Sequence, residues 1–179
     1  KESSPTITGT TEEGAQIAVS IDGEAVEAVI AGGGTEWSAT PTGDLGNGEH
    51  RVSVTATDAV GNTGSLTQTL TVDLTAPVVT IESGATDSTN AESITIIGTI
   101  DFDAVQAVTL TVIDPDNIES EYAATLTEQG WSFDLTPDVE GDWTILAEVA
   151  DEAGNTGSFT QTLTVDTTAP VATINGLDV

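Results

Sequence analysis

The sequence predicts an all-β chain built from two tandem sandwich domains, and an internal repeat is the first observation behind this prediction. The stretch 58–81, DAVGNTGSLTQTLTVDLTAPVVTI, returns 93 residues later at 151–174 as DEAGNTGSFTQTLTVDTTAPVATI. The second observation is that short runs of alternating apolar residues are separated by glycine and acidic turns, with no sustained period of 3.6 residues. Alternation is typical of strands, and a repeat of this length indicates a tandem array of one structural unit.

The repeated stretch contains a turn, a strand and a hinge, which together locate the domain boundaries. A Gly-Asn pair makes the turn, a threonine-rich run forms the strand, and an Ala-Pro pair follows it. Since proline cannot donate a hydrogen bond to a β-ladder, Pro77 ends the strand. We therefore predict a first domain at 1–77 that begins part-way through its repeat, a second at 78–170, and the start of a third repeat or a terminal strand at 171–179.

Strand by strand, the first domain alternates between inward and outward residues. The run 16–21 is followed by Asp22-Gly23, the dipeptide of a two-residue hairpin. Trp37 is the expected core aromatic residue, and His50 begins the inward row of the next strand. The predicted inward rows are Ile17, Val19 and Ile21, then His50, Val52, Val54 and Ala56, then Leu66, Leu70 and Val72.

The second domain repeats this plan with a longer polar loop near its start. Residues 78–81 are predicted to form a first short strand. Trp131 is the counterpart of Trp37, and Trp143 is the counterpart of His50. About seven short strands per domain, with turn signals every 8 to 12 residues, are typical of a two-sheet sandwich of the immunoglobulin type. The predicted inward row of this domain is Trp143, Ile145, Ala147 and Val149.

Charge and composition exclude several classes of function. The chain has 30 acidic residues against two basic ones, a net charge of −28, which excludes binding to nucleic acid or to an anionic membrane. The absence of cysteine excludes disulfides and zinc-thiolate sites, and no apolar run is long enough for direct membrane insertion. The many carboxylates of such a chain repel one another. Two ways of reducing this repulsion remain open, which are screening by salt at the surface and neutralisation by bound divalent cations. No signal peptide begins the sequence, so we expect either that it is a soluble fragment of a longer chain or that its export signal lies elsewhere.

Nothing in the sequence predicts an enzyme. His50 is the single histidine and lies on an inward row, and there is no phosphate loop and no Ser-His-Asp arrangement. The threonine rows at 67, 69 and 71 and at 160, 162 and 164 could form an ice-binding or sugar-binding face. Threonine is equally favoured on any exposed strand, so an adhesive face remains an alternative rather than the main prediction.

Several motifs together resemble a known family. GTTEEGAQIAVSIDG, the tryptophan strand, GEHRVSVTATDAVGN, TVDLTAP and STNAESITIIGT resemble the bacterial immunoglobulin-like repeats of giant RTX adhesins exported by type I secretion. The resemblance covers nearly the whole chain. It implies an extracellular extender on the bacterial cell surface, in which many units in series, with calcium at the joints, hold a ligand-binding region away from the cell. The expected partners are neighbouring repeats of the same chain, which is expected to be monomeric.

Calcium prefers six to eight oxygen ligands, and the topology of such a sandwich gathers candidates at the joint between the domains. The loop after the first strand, the loop before the sixth strand and the exit segment lie at one end, and the last turn of the following domain faces them. For the joint this predicts Glu12, Asn47, Asp73, Asp151 and Asn155, with Asp101, Asp166, Asp58 and Asn62 at the corresponding positions of the other repeat ends. Weaker candidates are Glu13, Asp87, Asn90, Glu92, Asp114 and Asp116.

These candidates also have an interpretation without a metal. In the D-x-x-G-N motif, Asp58 and Asp151 are well placed to accept hydrogen bonds from backbone amides as turn formers. Asn62 and Asn155 suit the unusual backbone conformations that occur beside glycine. Asp73 and Asp166 precede Thr-Ala-Pro or its equivalent and have less turn chemistry to perform, which favours them as ligands.

Overall fold

A computed structural model describes residues 2–31, 34–82, 89–101 and 107–175 of the chain. The described residues form strands, turns and irregular segments without any helix, and therefore without a helix that could cross a membrane. The chain divides into two compact units, unit 1 (Lys1–Thr75) and unit 2 (Ala76–Val179). The all-β fold predicted from the sequence is confirmed.

Unit 1 contains a three-stranded and a four-stranded antiparallel sheet, as expected for an immunoglobulin-like sandwich. The order is β1-β5-β4 in one sheet and β3-β2-β6-β7 in the other. The strands are β1 (Ile7–Thr10), β2 (Gln16–Ile21), β3 (Glu24–Val26), β4 (Ala28–Ile30), β5 (Glu36–Ala39), β6 (Gly48–Thr57) and β7 (Thr63–Val72).

The Asp22-Gly23 dipeptide forms the two-residue hairpin that the sequence predicts. Ile21 pairs with Glu24 across the turn, so only two residues connect β2 to β3. Asp22 and Gly23 both have positive φ angles, of 53° and 89°, as a type I′ turn requires. Such a turn matches the twist of the strands and fixes their register.

Unit 2 has the same division into two sheets. The order is β11-β12-β8 in one sheet and β10-β9-β13-β14 in the other. The strands are β8 (Ile94–Gly98), β9 (Val108–Ile113), β10 (Glu119–Ala123), β11 (Thr125–Thr127), β12 (Gly130–Leu135), β13 (Gly141–Ala150) and β14 (Thr156–Val165).

Residues 78–82 run antiparallel along the outer edge of β8 in unit 2. The Thr80 amide donates to the Thr99 carbonyl oxygen at 2.9 Å, and the Glu82 amide donates to the Ile97 carbonyl oxygen at 2.9 Å. The Trp131 indole N–H also donates to the Thr80 carbonyl oxygen at 3.2 Å. This segment therefore acts as a further edge strand, in agreement with the short strand predicted there.

The two units differ in how completely their cores are closed. Among the described residues, the core of unit 2 contains 16 buried apolar residues, whereas the main cluster of unit 1 contains five. Trp131 is 1% exposed and Trp37 is 7% exposed, so both are core residues as predicted. The assignment of Leu66 to the core is wrong, because its side chain is 67% exposed on a face of unit 1 that no described segment covers.

His50 and Trp143 occupy equivalent positions, as the repeat predicts. The Trp143 indole N–H donates to the Val139 carbonyl oxygen at 3.0 Å. His50 Nε2 lies 2.8 Å from the carbonyl oxygen of Gly46, the residue that corresponds to Val139. Each side chain thus ties the start of its long strand to the preceding loop.

Candidate functional site

The exit segment of unit 1 is held by a side chain from the loop that precedes β6. Asn47 Oδ1 accepts a hydrogen bond from the Leu74 amide at 2.6 Å, and Asn47 Nδ2 donates to the Thr75 hydroxyl oxygen. Asp73 Oδ1 accepts a hydrogen bond from the Thr75 amide at 2.9 Å. Two of the predicted ligands, Asn47 and Asp73, therefore meet at one three-residue segment.

Unit 2 repeats this arrangement with a carboxylate in place of the amide. Glu140, the counterpart of Asn47, accepts a hydrogen bond from the Thr167 amide at 2.7 Å and from the hydroxyl groups of Thr167 and Thr168. The Thr167 hydroxyl, followed by the Thr168 hydroxyl, lowers the pKa of Glu140 below its ordinary value. Asp166 Oδ1 accepts a hydrogen bond from the Thr168 amide at 3.0 Å, just as Asp73 does from Thr75.

Glu140 is a residue that the sequence analysis missed. The signal was present, because Glu140 stands 93 positions after Asn47 and both precede a glycine. Applying the repeat offset to every candidate, rather than to the motif residues alone, identifies it.

The turn that joins the last two strands of each unit is closed by its aspartate. Asp58 Oδ1 accepts hydrogen bonds from the Val60 and Asn62 amides at 2.9 and 2.8 Å, and its Oδ2 accepts from Asn62 Nδ2 at 2.7 Å. Asp151 accepts the Asn155 amide and Nδ2 groups in the same way, both at 2.8 Å. Asp58 and Asp151 therefore perform the turn chemistry that the sequence offered as an alternative to metal binding. The unusual backbone conformation suggested for Asn62 and Asn155 is wrong, because neither residue has a positive φ angle, and their side chains instead donate to the two aspartates.

The two turns differ in burial. Asn155 is 5% exposed, whereas Asn62 is exposed. Hydrogen bonds from the Asn62 side chain and then its amide lower the pKa of Asp58. Burial raises the pKa of Asp151, but the hydrogen bonds from the Asn155 side chain and amide outweigh it and lower the pKa overall. Both carboxylates are therefore ionised at neutral pH, the form that a cation requires.

The other predicted ligands lie on exposed loops. Glu12 follows β1, and its carbonyl oxygen accepts a hydrogen bond from the Ala15 amide at 3.3 Å. Asp101 is exposed, and its amide donates to the Val78 carbonyl oxygen at 2.9 Å. Of the weaker candidates, Asp114 accepts a hydrogen bond from the Ile118 amide at 2.8 Å, and Asp87 lies outside the described residues.

The acidic side chains do not form a compact cluster within the part of the chain that the structure describes. No group of three or more His, Cys, Asp or Glu residues there is close enough to hold a metal ion. Each unit instead presents separate carboxylate, amide and hydroxyl oxygens at its exit segment and at its last turn. Hard oxygen donors of this kind suit calcium and magnesium rather than zinc or copper.

The threonine rows lie on strands β7 and β14. Thr67, Thr69 and Thr71 are exposed, as are Thr160 and Thr162, whereas the half-buried Thr164 donates its hydroxyl to Asp142 Oδ1 at 2.7 Å. Since exposed strands favour threonine in any case, the rows by themselves indicate no ligand.

Two of the solved structures to which the chain is similar belong to adhesion proteins. The chain is similar to a tetra-tandem repeat in the extending region of a large adhesion protein, with 24% identity over 93% of this chain and 46% of that one, and a TM-score of 0.45. It is also similar to a Ca²⁺-stabilised adhesin that helps an Antarctic bacterium to reach out and bind ice, with 26% identity over 94% of this chain and 45% of that one, and a TM-score of 0.54. The chain thus spans about half the length of these two structures. No curated protein sequence matches it.

The match to a family model follows the internal repeat. A model of the bacterial Ig-like domain matches residues 1–74 and again residues 76–167. Together the two matches cover most of the chain, and each coincides with seven described strands in two sheets. The chain belongs to the bacterial Ig-like domain family, of which it contains two copies in tandem.

Proposed function

We propose that the chain is a calcium-stiffened extender segment of a bacterial surface adhesin. In this role the tandem units act as a spacer that holds a distal ligand-binding region away from the cell. The location is extracellular, at the bacterial surface, and the partners are neighbouring repeats of the same chain.

The observation that carries this proposal is a set of hydrogen bonds, here called the tie, between the loop before β6 or β13 and the exit segment of the same unit. Asn47 binds residues 74 and 75 in unit 1, and Glu140 binds Thr167 and Thr168 in unit 2. Each tie fixes the direction in which the chain leaves the unit. A spacer requires this property, because a freely rotating exit would let successive units fold back on one another.

Calcium is supported by charge and by donor chemistry. The chain has a net charge of −28, so its carboxylates repel one another, and bound divalent cations would reduce this repulsion. The candidate donors are all oxygen atoms, and the lowered pKa values of Asp58, Glu140 and Asp151 keep these carboxylates ionised. The likeness to a Ca²⁺-stabilised adhesin at 26% identity supports the same cation.

We propose as ligands the residues predicted from the sequence, with Glu140 added. Asn47 and Asp73 are placed at one exit segment, and Glu140 and Asp166 at the other, so each exit supplies at least one carboxylate. The remaining proposed ligands are Glu12, Asp101, Asp58, Asn62, Asp151 and Asn155.

The test is a calcium titration of thermal stability against sodium chloride of equal ionic strength. An ion that binds only the folded protein raises the melting temperature by mass action. We expect a dissociation constant of about 10⁻⁴ to 10⁻³ M, as is typical of extracellular modules, and weaker stabilisation by magnesium. Coincident melting curves in calcium and sodium would instead favour a spacer whose acidity is only an adaptation to salt.

Small-angle scattering tests the mechanical part of the proposal. In calcium the distribution of particle lengths should be narrow and should peak at a long length. Chelation of the calcium should broaden this distribution. If the scattering profile is the same with and without calcium while the melting temperature rises, calcium stabilises the domains without stiffening the array.

A further inference from the structure

Strand β12 of unit 2 has a partner on both of its edges over its first half only. On one edge it pairs with β8 along residues 131–135. On the other edge β11 pairs with residues 130–132, and in the described part of the chain no strand continues this pairing along residues 133–135. The second half of β12 therefore has a free edge along the side of the sandwich, and a free edge is able to pair with a further strand.

The backbone of Asp134 faces this free edge. The Glu82 amide donates to the Ile97 carbonyl oxygen, so the backbone groups of Ile97 point away from β12. Since these groups alternate between the two edges of a strand, Ile96 forms the hydrogen bonds of β8 with its partner Phe133. Asp134 is the next residue of β12, so its N–H and C=O groups point to the free edge.

A cleft of about 500 Å³ lies between β10 and β12 beside the free edge, and we call it the aromatic cleft. Leu135 and Trp143, both buried, contribute to its apolar interior. Tyr122 of β10 and Phe133 of β12 also line it, with 4.9 Å between their ring centroids. Tyr122 is 41% exposed and Ile118 is 61% exposed, so part of this apolar surface is accessible. A contiguous apolar surface on so acidic a domain marks an interaction site.

Two acidic residues also line the aromatic cleft. Asp114 directly follows β9, and Asp138 lies in the loop between β12 and β13. No lysine, arginine or histidine occurs after Arg51, so no side chain of unit 2 is able to neutralise these carboxylates. The cleft therefore combines an apolar interior with negative charge that unit 2 does not compensate, and a cationic occupant is complementary to it.

Unit 1 lacks the two aromatic side chains at the equivalent positions. By strand pairing, Tyr122 corresponds to Val26. Phe133 corresponds to Ala39, because each stands two residues after the core tryptophan of its unit. Ala39 also pairs with Ala28 of β4, so the edge of β5 is covered at the position where β12 is free. The aromatic pair and the free edge beside it are thus features of unit 2.

We propose that the aromatic cleft of unit 2 binds a basic, extended segment of another protein, which adds a short strand to the free edge of β12. The N–H and C=O groups of Asp134 pair with the backbone of this segment. An arginine or lysine of the segment packs its apolar stem against the rings of Tyr122 and Phe133. Its charged group lies near Asp114 and Asp138.

The combination of surfaces favours this occupant over others. A long basic side chain is apolar along its stem and charged at its tip, which matches an apolar cleft with carboxylates beside it. A neutral sugar also stacks on aromatic rings, but it would leave the two carboxylates without a positive partner. The proposal concerns side chains of unit 2 that the spacer function does not use, and it does not depend on calcium.

The test is isothermal titration calorimetry of the 179-residue chain in chelator at about 0.15 M salt, where the Debye length is about 8 Å. The probe is a blocked peptide of alternating arginine and threonine. A peptide with citrulline in place of arginine keeps the shape of the side chain and removes its charge. Tyr122→Ala removes one ring of the cleft, and Asp138→Asn removes one charge at an exposed position.

Two variants outside the cleft serve as matched controls. Leu126→Ala removes an apolar side chain that is 41% exposed, the same fraction as Tyr122. Glu128→Gln removes one exposed negative charge, as Asp138→Asn does. General attraction of the peptide to an acidic surface affects both charge variants equally, so a difference between them reports on the cleft.

We expect the arginine peptide to bind about tenfold more tightly than the citrulline peptide, and Tyr122→Ala and Asp138→Asn each to weaken binding by about 3- to 30-fold. Leu126→Ala and Glu128→Gln should bind as the parent does. Equal binding of the two peptides, or equal losses in Asp138→Asn and Glu128→Gln, overturns the proposal. Failure of the arginine peptide to bind also overturns it, and binding of neutral cellotetraose in its place would identify a sugar site.

Hydrogen exchange tests the added strand. The Asp134 amide should exchange more slowly in the complex with the arginine peptide than in the parent alone, because the backbone of the peptide then accepts its hydrogen bond. Unchanged exchange at Asp134 in the saturated complex would overturn the strand addition.

Discussion

The imidazole of His50 lies against the carboxylate of Asp22, with 2.7 Å between Nδ1 and Oδ2. The other ring nitrogen lies 2.8 Å from the Gly46 carbonyl oxygen. Both partners are acceptors, so only the protonated ring can donate both hydrogen bonds. The hydrogen bond to Gly46, followed by that to Asp22, raises the pKa of His50 above its ordinary value of 6.5. The His50 side chain, followed by the Arg51 amide, lowers the pKa of Asp22.

This pair predicts that unit 1 loses stability as the pH rises past neutrality. A histidine whose pKa is raised in the folded state contributes stability that is fully present below its unfolded pKa of 6.5. That contribution disappears as the pH rises through the folded pKa. Asp22 stays ionised throughout this range, because its pKa is lowered from 3.8. Urea denaturation of the chain between pH 5.5 and 9 should show the decrease in the transition of unit 1.

The control is His50→Gln, which removes the titration while keeping a side chain that can donate to Gly46. Its unit 1 transition should be flat over the same pH range, and an NMR titration of the parent should give a pKa for His50 above 6.5. The transition of unit 2, where Trp143 takes this position, supplies an internal reference. Equal pH dependence in parent and variant would contradict the assignment.

The unequal cores predict two separate thermal transitions. Unit 1 buries five apolar residues in its main cluster and unit 2 buries 16, so we expect unit 1 to melt first. Val52→Ala should lower only the first transition, by about 1–2 kcal/mol of unfolding free energy. Ile145→Ala, at the equivalent position, should lower only the second, by about 2–5 kcal/mol. Scanning calorimetry of both variants checks the assignment, which a single cooperative transition would refute.

The two closing turns predict unequal effects of removing the asparagine side chain. Asn155 is buried, and its Nδ2 group donates a hydrogen bond to Asp151 Oδ2. Asn155→Ala leaves this carboxylate oxygen without its donor at a partly buried position, which should lower the free energy of unfolding by about 1–3 kcal/mol. Asn62 makes the same bond at an exposed turn, where water replaces it, and Asn62→Ala should cost less than about 1 kcal/mol. Urea denaturation measures the loss of stability in both variants. Equal losses would mean that burial does not determine how much the asparagine side chain stabilises each turn.

Asp73→Ala should abolish the calcium-dependent change in length without unfolding either unit. Asp73 is exposed and follows the last core residue of β7, Val72, so both cores should remain packed. What disappears is a proposed ligand, and calcium affinity depends on the number and charge of the ligands. Circular dichroism should match the parent, whereas small-angle scattering in calcium should resemble the chelated parent.

Two further variants separate ligand loss from loss of the local turn. Asp73→Asn keeps an oxygen that can accept the Thr75 amide, so only the charge changes. Asp166→Ala removes the equivalent bond to Thr168 at the other exit. If Asp73→Asn lengthens with calcium as the parent does, the carboxylate of Asp73 is not a ligand.

The features that the sequence predicted correctly depend on neighbouring residues. The Asp22-Gly23 turn requires a positive φ angle at both of its residues, and this dipeptide readily adopts them. Asp58 and Asn62 are only four positions apart in the sequence, and a hydrogen bond between their side chains closes the turn. The equivalence of His50 and Trp143 follows from the repeat offset alone. Turns closed by neighbouring residues, and positions made equivalent by the repeat, can therefore be predicted from the sequence alone.

Two features that depend on distant segments were not predicted. Glu140 accepts hydrogen bonds from Thr167 and Thr168, which are 27 and 28 positions later in the sequence, and no motif near Glu140 indicates this contact. Leu66 alternates like a core residue, yet its burial depends on whether another segment covers its face. Alternation predicts which side of a strand faces inward, but the completeness of the core depends on the partners of the edge strands.

The difference in core closure also gives the chain an order of yielding under load. When the 179-residue chain is pulled from its two ends, the unit with fewer buried side chains should unfold first. Unit 1 has 75 residues, so its unfolded chain would span up to about 250 Å at roughly 3.4 Å per residue. Unit 2 would stay folded during that extension, so the force on a single chain should show the unfolding of unit 1 before that of unit 2.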